Sequence, residues 1–235
     1  LDFEHANCEC CLQPPVLGQV LRSLGMEKKR LFIVGAGGFG REVAAWARDC
    51  CQAENDCELV GFLDDNPRAL GDKPADLRVV GSIDQQQFGP NDRAFVAMCE
   101  PRIKQKIVEK LRGRVEFARL IHPTAVIGSH CTIGPGSILC PGAILSTNVT
   151  VGEHVHLNLN VTVGHDAQIG SYSTLNSHTD ITGSAVLAEG VFCGSHAVVL
   201  PNARVGAFAR IGAGSVVLRH VPAETTVMGV PAHRL

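Results

Sequence analysis

Apolar residues recur every six positions through the second half of the chain. From Ile121 to Val217 an aliphatic residue occupies every sixth position, with one replaced by Cys193. The residue four places after each of them is small or β-branched, and a glycine often follows directly. A continuous helix or an alternating strand would repeat at 3.6 or 2 residues instead. A six-residue period is typical of a parallel β-helix, in which a short strand and a corner repeat.

Three such units make one triangular coil. We expect the aliphatic side chains to fill the inside of this prism while successive coils stack at about 4.8 Å, the spacing of paired strands. Each coil then covers the backbone edge of its neighbour, so that only the two ends of the stack need protection. A β-sandwich is the alternative, but sandwich strands do not hold one register over about a hundred residues.

The first half begins with a strand and a glycine-rich loop. The strand at 31–34 leads into G-A-G-G-F-G at 35–40 and a helix predicted from Arg41 to about Cys51, whose first amides suit a phosphate. Further strands are predicted at 58–63, 78–81, 94–98 and 115–118, and further helices at 83–88 and 101–111. This alternation predicts a small parallel sheet.

The loop fits the G-x-G-x-x-G pattern of dinucleotide-binding proteins, and Asp64 and Asp65 follow at the distance expected for a ribose contact. An NAD-dependent oxidoreductase is nevertheless disfavoured. Before the repeats begin, the chain has room for one mononucleotide-binding half and not for two.

Composition and charge exclude several classes of function. The net charge is −2 and the isoelectric point is near 6.6, so no basic surface is available for a nucleic acid. No apolar run approaches the ~20 residues that cross a bilayer. The ten cysteines include no paired C-x-x-C motif, and several occupy positions where cysteine serves as a small hydrophobic residue. We therefore expect no metal and a reducing, cytoplasmic location.

The six-residue period sorts the histidines by position. His165 and Asp166 take the third and fourth places of one unit, on an outward corner of the prism. His178 and His196 are three units apart, which is one full coil, and should stack on a different corner. Histidine is the natural base near neutral pH, and an adjacent carboxylate can orient it. Asn158 and Asn176 form another such column, which is either functional or a structural ladder.

The repeats, the closing segment M-G-V-P-A-H-R at 228–234 and the glycine loop together resemble one family of enzymes. These are the sialic-acid O-acetyltransferases and UDP-N-acetylbacillosamine N-acetyltransferases, which are left-handed β-helix hexapeptide-repeat acyltransferases acting on sugars. The resemblance covers residues 30–235. It implies a homotrimer that uses acetyl-CoA as co-substrate, without a metal.

The resemblance also implies roles for individual residues. His165 would be the general base and Asp166 the residue that orients it. Contacts to acetyl-CoA would come from Asn158, Gly164, Gly183 and Ala213. Contacts to a sugar nucleotide would come from Gly35, Gly37, Gly38, Asp64, Asp65 and Arg102. Phe39 departs from the family, since a compared family member has histidine at that place in the loop.

These observations predict an α/β plus all-β architecture in four segments. They are a leader at 1–29 outside the fold, a Rossmann-like sugar-nucleotide-binding domain at 30–119, a left-handed β-helix at 120–223 and a tail at 224–235. The leader is set apart because residues 1–25 do not have the pattern of a folded domain, and without a basic region they do not resemble a secretory signal. Outward residues of the β-helix, taken as Ala143, Val149, Leu200 and Leu218, are expected to pack in the trimer.

The predicted function is acetyl-CoA-dependent N-acetylation of a nucleotide-linked amino sugar, of the 4-amino-4,6-dideoxyhexose type, for surface glycan synthesis. The alternative within the family is O-acetylation of sialic acid or a related sugar. Two other classes fit the sequence less well. A γ-class carbonic anhydrase would need two zinc ligands spaced H-x4-H, which no histidine pair here has. A non-catalytic sugar-nucleotide-binding scaffold would not need the His165–Asp166 pair.

Overall fold

The computed structural model describes residues 28–54 and 56–235. The predicted leader at 1–29 therefore lies outside the described residues except for its last two. The first strand already begins at Lys29.

The amino-terminal domain is a five-stranded parallel sheet with one helix on each face. Its sheet order is β3-β2-β1-β4-β5, and every neighbouring pair is parallel, which confirms the predicted sheet. Alternate residues of β1 point to opposite faces, so Ile33 packs with helix α1 and Phe32 packs with helix α2. The elements are β1 (Lys29–Val34), α1 (Gly38–Glu54), β2 (Cys57–Leu63), β3 (Val79–Gly81), β4 (Asp92–Val96), α2 (Pro101–Leu111) and β5 (Glu116–Phe117).

The helix predicted at 83–88 is wrong. Only a turn is present, in which the Gln86 amide donates to the Ser82 carbonyl. The Ile83 amide is already bonded to the Asp65 carboxylate, and Ile83 and Phe88 both pack into the core from this irregular segment. So short a helix before Gly89-Pro90 gains too few hydrogen bonds to offset the cost of its first turn.

The second domain is the predicted parallel β-helix. Its strands are mostly two residues long and pair with the equivalent strands of the adjacent coils, as Leu145 pairs with Val163. They form three faces. The domain face, which the first domain covers, comprises β6 (Leu120–Ile121), β9 (Ile138–Leu139), β12 (His156–Leu157), β15 (Thr174–Leu175), β18 (Phe192–Cys193), β21 (Arg210–Ile211) and β24 (Thr226–Met228).

The other two faces continue the same order along the chain. The second face comprises β7 (Val126–Ile127), β10 (Ile144–Leu145), β13 (Thr162–Val163), β16 (Asp180–Ile181), β19 (Val198–Val199) and β22 (Val216–Val217). The third face comprises β8 (Thr132–Ile133), β11 (Thr150–Val151), β14 (Gln168–Ile169), β17 (Val186–Leu187), β20 (Arg204–Val205) and β23 (His220–Val221).

The inside of the prism is filled from two places of each unit. The aliphatic residue points inward, and so does the small residue four places later, as Leu145 and Val149 show. The prediction that Ala143 and Val149 face outward is therefore wrong, because both are core residues. Leu200 is half-buried and Leu218 is exposed.

The stack ends with a shortened coil. Arg204 pairs with His220 and Arg210 with Thr226, so this last coil is two residues shorter than those below it. Strand β25 (His233–Arg234) then folds back antiparallel onto β24, and the Ala232 amide donates to the Val216 carbonyl. These strands lie in the segment 224–235 that was set apart as a tail, and they cover the upper edge of the stack.

Helix α2 anchors the first domain on the β-helix. The side chain of Lys104 is fully buried between the domains, and its amine donates to the Ser173 carbonyl at 3.1 Å and to the Thr174 hydroxyl at 2.9 Å. Burial lowers the pKa of this amine well below its ordinary 10.5. A neutral amine has two N–H groups to donate, which matches the two acceptors.

The first domain contains a disulfide. Cys51, near the end of α1, and Cys57, at the start of β2, form a disulfide that the cysteine spacing did not predict. Among residues 28–54 and 56–235, no helix has the length and apolar content required to cross a membrane.

Candidate active site

His165 and Asp166 lie together on the corner between the second and third faces. The His165 Nδ1 atom is 2.7 Å from Asp166 Oδ2, and the two side chains are 62% and 48% exposed. A carboxylate only accepts hydrogen bonds, so the Nδ1 atom carries a proton, and in the neutral ring Nε2 is then an acceptor. This is the arrangement required of an imidazole that takes a proton from a bound substrate.

The second oxygen of Asp166 is also engaged. Asn148, in the coil below, donates from Nδ2 to Asp166 Oδ1 at 2.6 Å. The hydrogen bonds from Asn148 and then His165 lower the pKa of Asp166 below its ordinary 3.8, so the carboxylate stays ionised near neutral pH. Sequence reasoning missed Asn148, although it lies one coil before Asp166 at the same place of the repeat.

Two of the predicted acetyl-CoA-binding residues lie beside the His165 imidazole. Gly183 is in the coil above, and a Cβ atom on it would stand 2.5 Å from His165 Nε2 and 2.7 Å from Cε1. Gly164 precedes His165, and a Cβ there would stand 2.7 Å from the Gly183 amide nitrogen. Both glycines thus allow the backbone and the imidazole to approach closely.

The other two predicted acetyl-CoA-binding residues lie on a different corner. Asn158 and Ala213 follow strands of the domain face, whereas His165 follows a strand of the second face, so the width of the second face separates the two corners within one chain. The Asn158 Nδ2 atom donates to Asn176 Oδ1 at 3.1 Å, and Asn176 Nδ2 donates to the Cys193 carbonyl at 2.7 Å. The column is thus a hydrogen-bonded ladder. Ala213 is exposed.

The glycine loop is open to solvent at the carboxyl end of β1. Gly37 and Gly38 are exposed, and a Cβ on Gly37 would have no neighbour within 4 Å. Gly35 has a φ of +102°, which an L residue rarely adopts. Sequence reasoning missed the packing role of Gly40, whose missing side chain lets the Gly35 carbonyl lie against α1.

The two predicted aspartates follow strand β2, and one of them, Asp64, bonds to the glycine loop. Asp64 Oδ2 accepts from the Ala36 amide at 2.9 Å, and Asp64 Oδ1 accepts from the Asn66 amide at 2.9 Å. Asp65 Oδ1 accepts from the Ile83 amide at 3.0 Å. Three backbone donors therefore already bond to these two carboxylates, while Asp65 itself remains exposed.

Arg102, the last predicted nucleotide contact, points toward the β-helix. Its guanidinium lies 4.2 Å from the centre of the Phe208 ring and donates to Glu224 Oε1 at 2.9 Å. A second such pair lies beside it, where Arg210 stacks on Phe192 and donates to both oxygens of Glu100. The structure thus gives Arg102 an interdomain contact.

Four other histidines are stacked or buried, and the stacking of His178 on His196 is the one that the sequence predicted. His178 and His196 are parallel at 7°, with ring centres 4.8 Å apart. His154 and His156 are buried between the domains, and burial lowers the pKa of His154 to about 3. Within the described part of the chain, no group of three or more His, Cys, Asp or Glu side chains is placed to hold a metal.

Both halves of the chain resemble known proteins. Residues 30–111 match the PglD N-terminal domain. Over 141 residues the chain is 35% identical to GDP-perosamine N-acetyltransferase of Escherichia coli O157:H7, an alignment that covers 58% of this chain and 62% of that relative. The chain thus spans less than two thirds of this curated relative's length.

Two solved structures match most of the chain. PerB from Caulobacter crescentus, in complex with CoA and GDP-perosamine, has a TM-score of 0.78 and 28% identity, covering 87% of this chain and 96% of PerB. The acetyltransferase domain of PglB from Neisseria gonorrhoeae, in complex with acetyl coenzyme A, has a TM-score of 0.80 and 27% identity, covering 88% of this chain and all of that domain. These matches confirm the predicted fold and the predicted resemblance.

Proposed function

We propose that this protein transfers an acetyl group from acetyl-CoA to the amine of a nucleotide-linked amino sugar, with His165 as general base. The observation that carries the proposal is the His165–Asp166 pair. The pair lies at an exposed corner, where Nδ1 faces the Asp166 carboxylate and Nε2 lies beside Gly183. The similarity to named sugar N-acetyltransferases supports the same chemistry.

The chemistry requires one base and a place for a developing negative charge. The neutral sugar amine attacks the thioester carbonyl, and His165 Nε2 takes the amine proton as the carbon–nitrogen bond forms. The tetrahedral intermediate then expels the CoA thiolate, which the imidazolium protonates. Asp166 keeps the imidazole in the required tautomer throughout. Backbone amides at the glycine corners are the donors we assign to the oxyanion.

The sugar substrate is assigned to the nucleotide-linked 4-amino-4,6-dideoxyhexose class, used for surface glycan synthesis. The open glycine loop at the start of the 17-residue helix α1 offers amides and a helix dipole to a diphosphate. Asp64 braces this loop through the Ala36 amide. We keep Gly35, Gly37, Gly38 and Asp65 as the residues nearest the nucleotide. Arg102 can join them only by leaving Glu224.

The active unit is proposed to be a homotrimer. His165 and the corner that carries Asn158 and Ala213 are separated within one chain, so a neighbouring chain would have to bring the second corner to the first. Val126 and Ile144 support this assembly, because they are adjacent on the second face and are 57% and 42% exposed.

The decisive assay offers the purified protein acetyl-CoA and a panel of UDP-, dTDP- and GDP-linked amino sugars. Release of free thiol that depends on one sugar, with a product heavier by one acetyl group, is the expected result. An acetyl group that resists mild hydroxylamine is an amide, whereas a labile one is an ester and would support O-acetylation instead. If none of the sugars in the panel caused thiol release, the proposal would be contradicted.

Replacing the base gives a sharper test. His165→Ala should lower kcat by about 10²–10⁴-fold, the usual contribution of general-base catalysis, with little change in either KM. Asp166→Asn should lower kcat less, because it orients the imidazole and takes no proton. A His165→Ala variant with nearly normal kcat would mean that positioning alone carries the reaction.

A further inference from the structure

We infer that Asn148 is a positioning residue of the acetyl-transfer site, which holds the Asp166 carboxylate so that His165 keeps its proton on Nδ1. The inference rests on the proposed function and adds a third member to the predicted pair. The three side chains form one line of hydrogen bonds, from Asn148 Nδ2 to Asp166 at 2.6 Å and from His165 Nδ1 to Asp166 at 2.7 Å.

The exposure of the pair explains why a third residue is needed. The Asp166 side chain is 48% exposed, so water competes for both of its oxygens. With only one partner, the carboxylate would be free to rotate about its last bond and release the imidazole. Asn148 bonds the oxygen that His165 does not use, so the carboxylate plane is fixed from both sides.

The backbone of Asn148 is suited to this task. Its φ is +59°, in the left-handed region that asparagine tolerates better than most residues. Its amide donates to the Ser129 carbonyl one coil below, and the Asp166 amide donates to the Thr147 carbonyl. Asn148 and Asp166 are therefore in register on adjacent coils, at the same place of the repeat.

In the coil above Asp166, no side chain on this corner takes the place of Asn148. Above Asp166 the coil carries Gly183, which has no side chain, and Ser184, which makes no side-chain hydrogen bond to Asp166 among the bonds of the described residues. Removing a residue that orients a metal-bound histidine typically lowers activity by about 10–100-fold. A loss of similar size is expected for a residue that orients a catalytic histidine, because a small displacement of the reacting group slows the reaction.

Two substitutions at Asn148 test its side-chain amide independently of its left-handed backbone. Asn148→Gly keeps a left-handed backbone and removes the donor. Asn148→Asp keeps the size and shape, but a carboxylate facing Asp166 cannot donate and repels it. The matched control is His130→Gly, which lies one coil below at the same place, has a φ of +61°, and is two coils away from Asp166.

Kinetics provide the first readout. We expect both Asn148 variants to lower kcat by about tenfold while KM for acetyl-CoA and the sugar stays within twofold, with Asn148→Asp at least as impaired as Asn148→Gly. His130→Gly should behave like wild type. Normal kcat in Asn148→Asp, or an equal loss in His130→Gly, would overturn the inference, since the effect would then come from the corner and not from the amide.

A spectroscopic readout does not depend on activity. In protein labelled with ¹⁵N histidine, the neutral His165 ring should carry its proton on Nδ1, with its signal identified by its loss in His165→Gln. Asn148→Gly should shift this ring toward the Nε2–H tautomer, and His130→Gly should not. An unchanged tautomer would overturn the inference. Should the wild type show no acetyl transfer, the proposed function fails while this measurement still decides the role of Asn148.

Discussion

The position of the His165 imidazole depends on a residue without a side chain. The ring lies over Gly183, where a Cβ would meet Nε2 at 2.5 Å, Cε1 at 2.7 Å and Cδ2 at 3.1 Å. All three atoms belong to the far end of one movable side chain. A methyl group would therefore move the imidazole while leaving the coil intact.

Gly183→Ala is expected to lower kcat by about 10–100-fold, because a displacement near 1 Å at the reacting group has this effect. The backbone at Gly183 does not require a positive φ, so the thermal midpoint should change little. The same substitution made in His165→Ala should cause no further loss of kcat, since the ring it displaces is already absent. Full additivity of the two losses would contradict this account and would point to a separate contact of Gly183, such as one with acetyl-CoA.

The six-residue repeat predicted the corner that carries the catalytic pair, and it could also have predicted the third residue of the site. The corner position of His165 and Asp166 follows from their places in the unit that begins at Val163. The partner Asn148 lies one full coil before Asp166, so the same period would have found it. The contact with Gly183 depends on a side-chain torsion that the period does not encode.

At the level of elements, α2 joins the two domains through a buried lysine that lies near a buried histidine. Lys104 reaches across to Ser173 and Thr174, and His154 lies nearby against Phe117 and Tyr172. Burial lowers the pKa of both basic side chains. Because the unfolded chain binds a proton that the folded chain does not, stability rises with pH between each lowered pKa and its ordinary value.

The pH range in which Lys104 makes stability depend on pH extends from its lowered pKa up to about 10.5. The corresponding range for His154 lies between about 3 and 6.5. Measurements from pH 7 to 9.5 therefore separate Lys104 from His154. In wild type the free energy of unfolding should gain up to about 1.4 kcal/mol per pH unit from this one lysine. Lys104→Met should lack that gain, so its stability relative to wild type should be highest at pH 7 and fall toward pH 9.5.

The control is Lys106→Met, which replaces an exposed lysine of the same helix. Its unfolding curves should remain parallel to those of wild type over this pH range. Parallel curves for Lys104→Met as well would mean that the buried amine is charged in the folded protein.

Contacts between elements were the least predictable part of the fold. The bounds of α2 were predicted correctly because Pro101 opens it and its apolar positions have a helical period. The short helix at 83–88 failed because tertiary packing of Ile83 and Phe88 replaced a helix that was too short to form. The Lys104 contact and the Cys51–Cys57 disulfide join residues that no local pattern relates.

At the scale of the whole molecule, the three faces of the prism have different environments. The domain face is covered by the first domain, and its outward residues Ile138, His156 and Thr174 are buried. The third face carries exposed polar residues, among them Thr150 and Gln168. The second face carries exposed aliphatic residues where its first strands pair, at Val126 and Ile144. This exposed aliphatic patch on the second face is where we expect a second copy to pack.

Ile144→Lys should therefore convert the proposed trimer to monomers. Wild type is expected to sediment at three times the 25.0 kDa chain mass, and the variant at the chain mass. Thr150→Lys, one unit later on the exposed third face, supplies the same charge as a control and should remain trimeric.

Separation of the chains should also affect catalysis in a distinctive way. The corner with Asn158 and Ala213 would no longer meet the His165 corner of a neighbour, so Ile144→Lys should lose acetyl transfer even though its own His165–Asp166–Asn148 line is intact. The ¹⁵N tautomer of His165 should stay as in wild type, because those hydrogen bonds lie within one chain. A monomer that retained wild-type kcat would show that one chain holds a complete site, and would refute the proposed intersubunit cleft.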